Sequence, residues 1–243
     1  LAARRGAGHQ GPDVTITARD GHGMTGQALL FDLDGTLVDT DLLHHAAFVT
    51  LLADRGETLS LQDYRTHVMG KSNAEIRGRY FAAETEAAGR ALLERKEALF
   101  RDSLAAAVAP VAGIHALLDW AGRTGTATAV VTNAPRANAT AMLAAAGLAD
   151  RLPLVVIGEE CTRPKPDPAP YQEAMRRLGV TPSRSIAFED SPSGLRAARS
   201  AGARVYGLTT GLPAAALLAA GAHAAIADFT DPDLWSHLEG LHP

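Results

Sequence analysis

The chain has 243 residues, 47% hydrophobic and 21% charged, enough apolar surface to bury one large domain or a core carrying a smaller insertion. Its 23 Lys+Arg against 27 Asp+Glu give a net charge of −4, with no basic stripe, which excludes a nucleic-acid binder that relies on phosphate contacts. The single cysteine, Cys161, excludes an intrachain disulfide and a thiolate metal cluster and suits a reducing cytoplasm.

In chain order, residues 1–26 hold much glycine and charge and no apolar run of signal-peptide length, and read as a flexible N-terminal extension without assigned function. Met24 stands just before the first strong strand. Gly21, Gly23 and Gly26 have dinucleotide-fingerprint spacing, but that motif follows a strand and opens a helix, whereas here it precedes a strand. No stretch approaches 18 apolar residues, so no membrane partner is expected. The reading is a cytoplasmic protein, with monomer and homodimer both open.

Short apolar runs at 28–31, 126–131, 154–157, 185–188 and 204–208 predict buried strands, and helical segments are predicted at 114–122, 136–146, 169–178 and 192–201. This alternation predicts an α/β fold with a doubly wound parallel sheet, because parallel neighbours need a crossover connection. Ligands of such sheets bind beyond the carboxyl ends of the strands. Residues 41–110 break the pattern with helical stretches only, marked by Leu42, Leu43, Ala46, Phe48, Leu51 and Leu52 and then by Leu92, Leu99 and Phe100. They read as an inserted helical cap domain over a core of 27–40 and 111–243.

The strand ends carry the chemistry. Asp32 and Asp34 stand at i and i+2 where the first strand stops, and two carboxylates on one side of an extended chain repel unless a cation lies between them. Hard oxygen ligands suit Mg2+. Gly35 allows a sharp turn after them. Glu189 and Asp190 end another strand, ahead of Ser191 as a helix N-cap and Pro192 at the first helical position. Each acidic strand end alone could merely start a turn or a helix, but two in one sheet bring three or four carboxylates to one edge, which is costly without a cation. Thr132 and Asn133 end a third strand with a hydroxyl and an amide, and Lys165 sits between Pro164 and Pro166. Such groups suit a phosphate, the small phosphorylated metabolite being the expected partner.

Four motifs in order, Asp32-Leu33-Asp34-Gly35-Thr36, Thr132-Asn133, Lys165-Pro166-Asp167-Pro168 and Glu189-Asp190-Ser191 with Gly194, resemble the haloacid dehalogenase-like hydrolases. The resemblance covers roughly 27–230 and is to the subgroup with a helical cap after the first strand, which contains phosphoglycolate phosphatase-like enzymes and beta-phosphoglucomutase. It implies a Rossmann-like core and a phosphatase acting on a sugar phosphate or phosphoglycolate-like ester. In that reading Asp32 is the nucleophile that becomes an aspartyl phosphate, Asp34 is the general acid and base, and Thr132, Asn133 and Lys165 hold the phosphoryl group. Magnesium is then held by Asp32, the Asp34 backbone carbonyl and Asp190, with Glu189 beside it. Asp34 argues for phosphate esters, since the dehalogenase branch does not use an acid there.

Two alternatives stay open at this stage. For a phosphomutase, His44 stands five residues after Asp39 as the cap histidine of beta-phosphoglucomutase does, and Lys96 resembles that enzyme's cap lysine. Against it, Asn73 stands where the mutase has an arginine. A binding protein without turnover could lose any of the acids, yet all are present. His44 and Lys71, the latter in a cap loop, are the candidate substrate-binding residues of the cap.

Overall fold

The computed structural model describes residues 26–69, 71, 73–104 and 108–241. Apart from Gly26, the predicted N-terminal extension, with Met24, Gly21 and Gly23, lies outside the described residues. Six strands, β1 (Ala28–Phe31), β2 (Ala127–Thr132), β3 (Val155–Ile157), β4 (Ser185–Glu189), β5 (Arg204–Leu208) and β6 (Ala224–Ile226), form an all-parallel sheet in the order β3-β2-β1-β4-β5-β6. The chain winds outward from β1 to β3, then crosses back to β4 on the other side of β1. The order of connection therefore reverses at β1 and β4, where open α/β sheets form their ligand crevice.

Side-chain alternation along β1 separates two apolar layers. Leu29 and Phe31 face α5 (Ile114–Thr124), α6 (Arg136–Ala145) and α10 (Pro232–Gly240), whereas Ala28 and Leu30 face α7 (Ala169–Leu178), α8 (Pro192–Ser200) and α9 (Ala214–Ala220). Phe31 stacks on Phe188 with ring centroids 5.2 Å apart, joining β1 to β4 directly beneath the crevice. The doubly wound parallel sheet expected from the sequence is thus the observed one.

Between β1 and α5 lie four helices, α1 (Asp41–Ala53), α2 (Leu61–His67), α3 (Asn73–Tyr80) and α4 (Glu86–Ser103), packed around a separate apolar cluster that includes Phe48, Leu51, Tyr64, Phe81 and Leu93. Ser60 and Thr85 cap α2 and α4 by accepting from the Asp63 and Ala88 backbone N–H groups. The entry and exit of this segment touch: Val38 forms an antiparallel bridge with Pro110, and the Val111 N–H donates to the Leu37 carbonyl at 2.9 Å. Among the described residues no helix is long and apolar enough to cross a membrane.

The structure corrects several details. Leu42 is 64% exposed and Ala46 is also exposed, while Ala47 is buried in their place. Almost every position of α1 is apolar or neutral, so periodicity alone does not select its inward face. The short strand β6 and helices α9 and α10 were not anticipated, whereas α2 and α3 fall within the segment read as helical without individual bounds. Ala224–Ile226 is too short, and alanine too indifferent between strand and helix, to signal its state. Asn138, in a glycosylation-type sequence, is fully buried.

Candidate active site

The first strand ends in a turn built to bring acids together. The Asp32 N–H still donates to the Phe188 carbonyl at 3.0 Å, extending the β1–β4 ladder by one residue, after which the Leu37 and Val38 N–H groups fold back onto the Leu33 carbonyl. Gly35 adopts φ +73°, and a Cβ there would collide with the Asp190 carboxylate. Gly194 answers the same need on the other side, since a Cβ at that position would overlap the Glu189 carboxylate. Glycine at both places lets backbone approach two buried acids. Ser191 caps α8, accepting from the Gly194 N–H at 3.2 Å, so Glu189 and Asp190 are held between a strand end and a helix start.

On this floor Lys165 bridges two acids, its Nζ lying 2.6 Å from Asp32 Oδ1 and 2.6 Å from Glu189 Oε1. Asn133 holds the Lys165 backbone at both ends, its Nδ2 donating to the Lys165 carbonyl and its Oδ1 accepting from the Lys165 N–H, each at 3.1 Å. The Tyr171 hydroxyl donates to Glu189 Oε1 at 2.6 Å. Thr132 is buried and its Oγ1 accepts from the Ala134 N–H at 3.0 Å, which leaves its hydroxyl proton to donate elsewhere.

The charges on the floor do not balance. Asp32, Glu189 and Asp190 each offer a carboxylate oxygen within 4.8 Å of the others, and the single ammonium among them belongs to Lys165. Burial pushes Asp32 up to about 8, with Lys165 pulling it down and Glu189 adding to the rise. Burial, then Asp32 and Glu189, likewise drives Asp190 well above the usual carboxylate range. Burial opposes the charge on Lys165 too, but Asp32 and Glu189 outweigh it and hold the ammonium charged. Three carboxylates with one lysine leave two negative charges over, all in hard oxygen donors. That donor set fits a divalent cation such as Mg2+.

Asp34 stays out of this cluster and faces the helices above it. Its Oδ1 accepts from the Thr40 hydroxyl at 2.5 Å and lies 3.0 Å from His44 Nε2. His44 Nδ1 in turn lies 2.8 Å from Lys96 Nζ, and the imidazole stacks on Phe100 at 3.7 Å. A charged ammonium only donates, so Nδ1 is the acceptor and Nε2 carries the proton that His44 gives Asp34. Burial acts to raise Asp34, but the hydrogen bond from His44, then Thr40 and Lys96, outweigh it and hold the carboxyl below its ordinary value. Burial lowers the Lys96 ammonium, against the opposing pull of Glu97.

Asp32, Asp34, Thr132, Asn133, Lys165 and Asp190 line one cleft together with His44 and Lys71, and Glu189 lies buried just beneath it. Lys71 is the peripheral member, half-exposed at the rim and 3.7 Å from Glu75. Sequence reasoning missed Thr40, Tyr171, Glu97 and Asn138. Tyr171 sits on the apolar face of α7 and looked like core, while Glu97 and Asn138 meet only because α4 packs on α6.

The model of the haloacid dehalogenase-like hydrolase family matches residues 29–208. Over 189 residues the chain is 34% identical to Protein CbbY of Rhodobacter capsulatus, covering 74% of this chain and 83% of that protein. It is 30% identical over 207 residues to the phosphorylated carbohydrates phosphatase of Thermotoga maritima, covering 82% and 94% respectively. Among solved structures, CbbY of Rhodobacter sphaeroides in complex with phosphate superposes with a TM-score of 0.76 at 28% identity, over 85% of this chain and 96% of that one.

Proposed function

The chain belongs to the haloacid dehalogenase-like hydrolases, and from that membership we propose that it is a Mg2+-dependent phosphatase that hydrolyses a small phosphate monoester through an aspartyl phosphate on Asp32. The core of 27–40 and 111–243 carries the chemistry, and the cap of 41–110 closes over it, turning about the junction where Val38 bridges Pro110. Similarity to the phosphorylated carbohydrates phosphatase of Thermotoga maritima supports a phosphorylated carbohydrate as substrate.

In the first half-reaction an Asp32 carboxylate oxygen bonds to phosphorus as the bond to the alcohol oxygen breaks, and Asp34 gives the departing oxygen a proton. The incoming phosphoryl charge raises the proton affinity of Asp34 for this step. In the second half-reaction Asp34, returned to its carboxylate, takes a proton from the water that attacks the acyl phosphate, and Asp32 leaves as carboxylate. The hydrogen bonds from His44 and Thr40 favour that ionised form and keep one oxygen of Asp34 for the cleft. Lys165 and the Thr132 hydroxyl hold phosphoryl oxygens, and Asn133 fixes the position of Lys165 through its backbone. His44 orients Asp34 while Lys71 reaches the alcohol from the rim. Asp32, the Asp34 carbonyl and Asp190, with Glu189 beside them, would hold Mg2+, which when bound neutralises phosphoryl charge and lowers Asp32 to its ionised form.

The observation that carries this reading is the surplus of buried carboxylate around Lys165, directly below a cleft walled by helices of the cap. A phosphate-release screen over sugar phosphates, phosphoglycolate and nucleotides tests it: release is expected with Mg2+, none with EDTA, and a loss of roughly 10⁴-fold in Asp32→Asn. Release that survives EDTA and Asp32→Asn overturns it. Incubation with beta-glucose 1-phosphate, assayed for glucose 6-phosphate, separates hydrolysis from mutase transfer; with Asn73 in the cap loop, free phosphate is the expected product.

A further inference from the structure

Before any ligand arrives, the cations of the cleft are already answered. Lys165 serves Asp32 and Glu189, Lys96 lies 3.1 Å from Glu97, and Lys71 at the rim has Glu75. Among the described residues no other Lys or Arg lines the cleft. A substrate that placed a second anionic group inside the cleft would bury it against the paired Lys96 and Glu97, which is unfavourable.

Glu97 shows what the wall offers instead. It is 6% exposed and lines the cleft. Its two protein hydrogen bonds, from Lys96 Nζ at 3.1 Å and Asn138 Nδ2 at 2.6 Å, both end on Oε2. Arg101 donates to Asn138 Oδ1 at 2.7 Å, which decides that the amide presents its NH2 to Glu97. Oε1 is thereby left as an acceptor without a donor among the described residues, in a side chain held rigidly from two helices. Oε1 opens onto the cleft, where a hydroxyl of the ligand is the donor that can reach it.

Resting on the phosphatase reading, we infer that the substrate is the phosphate monoester of an uncharged, hydroxyl-bearing alcohol, that Glu97 Oε1 accepts one of its hydroxyls, and that the cleft rejects esters carrying a second phosphate or a carboxylate. A hydroxyl satisfies Oε1, whereas a second anion meets the same oxygen as a like charge. Glu97 is thus a specificity-determining residue, with Asn138 and Arg101 as its positioning residues.

The test compares kcat/KM, with Mg2+, for hexose and pentose monophosphates against sugar bisphosphates and 2-phosphoglycolate, with p-nitrophenyl phosphate as a generic ester. The monophosphates of neutral sugars are expected to lead by at least about tenfold, and Glu97→Gln, which removes the charge and turns an NH2 to the cleft, is expected to shrink that ratio by about tenfold or more. Should a thermal melt show that Glu97→Gln does not fold, Asn73→Arg carries the test, since a cation added to the cleft lining is expected to raise bisphosphate turnover relative to monophosphate. A wild-type preference for bisphosphates or phosphoglycolate, or the same ratio in both variants as in wild type, overturns this inference alone. Release from no ester, p-nitrophenyl phosphate included, overturns the phosphatase reading and the inference with it.

Discussion

The floor of the cleft and its cap wall both bury charge, but they balance it differently. On the floor, Asp32, Glu189 and Asp190 share one ammonium from Lys165, and burial drives two of these acids up in consequence. On the wall, Lys96 meets Glu97, and the His44 imidazole links the Lys96 ammonium to the Asp34 carboxylate by hydrogen bonds. The floor is held by strand ends and a tight glycine turn, where little can shift. The wall stands on helices that keep an apolar cluster of their own, while Ala47 and Phe100 join the main core. An unbalanced, rigid floor suits a site that waits for a cation and performs bond-making. A balanced wall suits selection of the alcohol, because it presents no uncompensated buried charge.

Substitutions on the two surfaces should therefore differ in kind as well as in size. After Asp32, the largest effect belongs to Asp34, where the floor meets the wall. Asp34→Asn is expected to lower kcat by about 10²–10⁴-fold with a small change in KM, measured by phosphate release, because proton transfer is lost while the shape remains. A KM effect with kcat preserved would move Asp34 from chemistry to binding and erase the contrast.

The floor also predicts a dependence of stability on pH. In the metal-free protein Asp32 is pushed up to about 8 from an ordinary 3.8, so between those values the folded state keeps a proton that the unfolded state has released. Stability should then fall as pH rises from about 4 to 8. Asp190, raised in the same direction, steepens the fall, whereas Lys165, raised from 10.5, and Asp34, lowered from 3.8, change outside that window. Urea midpoints at pH 5 and pH 8 check this. The drop is expected to be smaller in Asp32→Asn and to be opposed by Mg2+, which adds stability by binding the folded state. A midpoint insensitive to both would mean that the carboxylates of the floor are relieved in some other way.

The smallest effect is expected at the rim. Lys71 is half-exposed and already near Glu75, so Lys71→Ala should raise KM several-fold for the preferred ester, more than for p-nitrophenyl phosphate, and leave kcat nearly constant. Equal changes for both esters would remove Lys71 from the wall's selective surface.

The floor was legible in the sequence because each of its parts is local. Asp32 and Asp34, Thr132 and Asn133, and Glu189 and Asp190 each follow a short apolar run, and a run of that kind in a parallel sheet delivers its last residues to one edge. Lys165 was legible for a related reason, between two prolines in a loop after β3. The wall was much less so. His44 and Lys96 are 52 residues apart, and Glu97 and Asn138 are 41 apart on different helices. Lys96 stood out only through family likeness, and Glu97 and Asn138 gave no signal. Leu42 and Ala46 show the same gap, since an apolar helix carries its stripe on several faces until neighbours choose one.

Residue order alone therefore determined the alternating strands and helices, the place of the helical insertion and the set of strand-end acids, because these follow from hydrophobic period and turn chemistry over a few residues at a time. Only the tertiary structure decided that Lys165 lies between Asp32 and Glu189, that His44 donates a hydrogen bond to Asp34, and that Glu97 turns one free oxygen to the cleft. Those outcomes depend on the packing of helices distant in sequence and on which buried charges find partners, quantities that no local pattern contains.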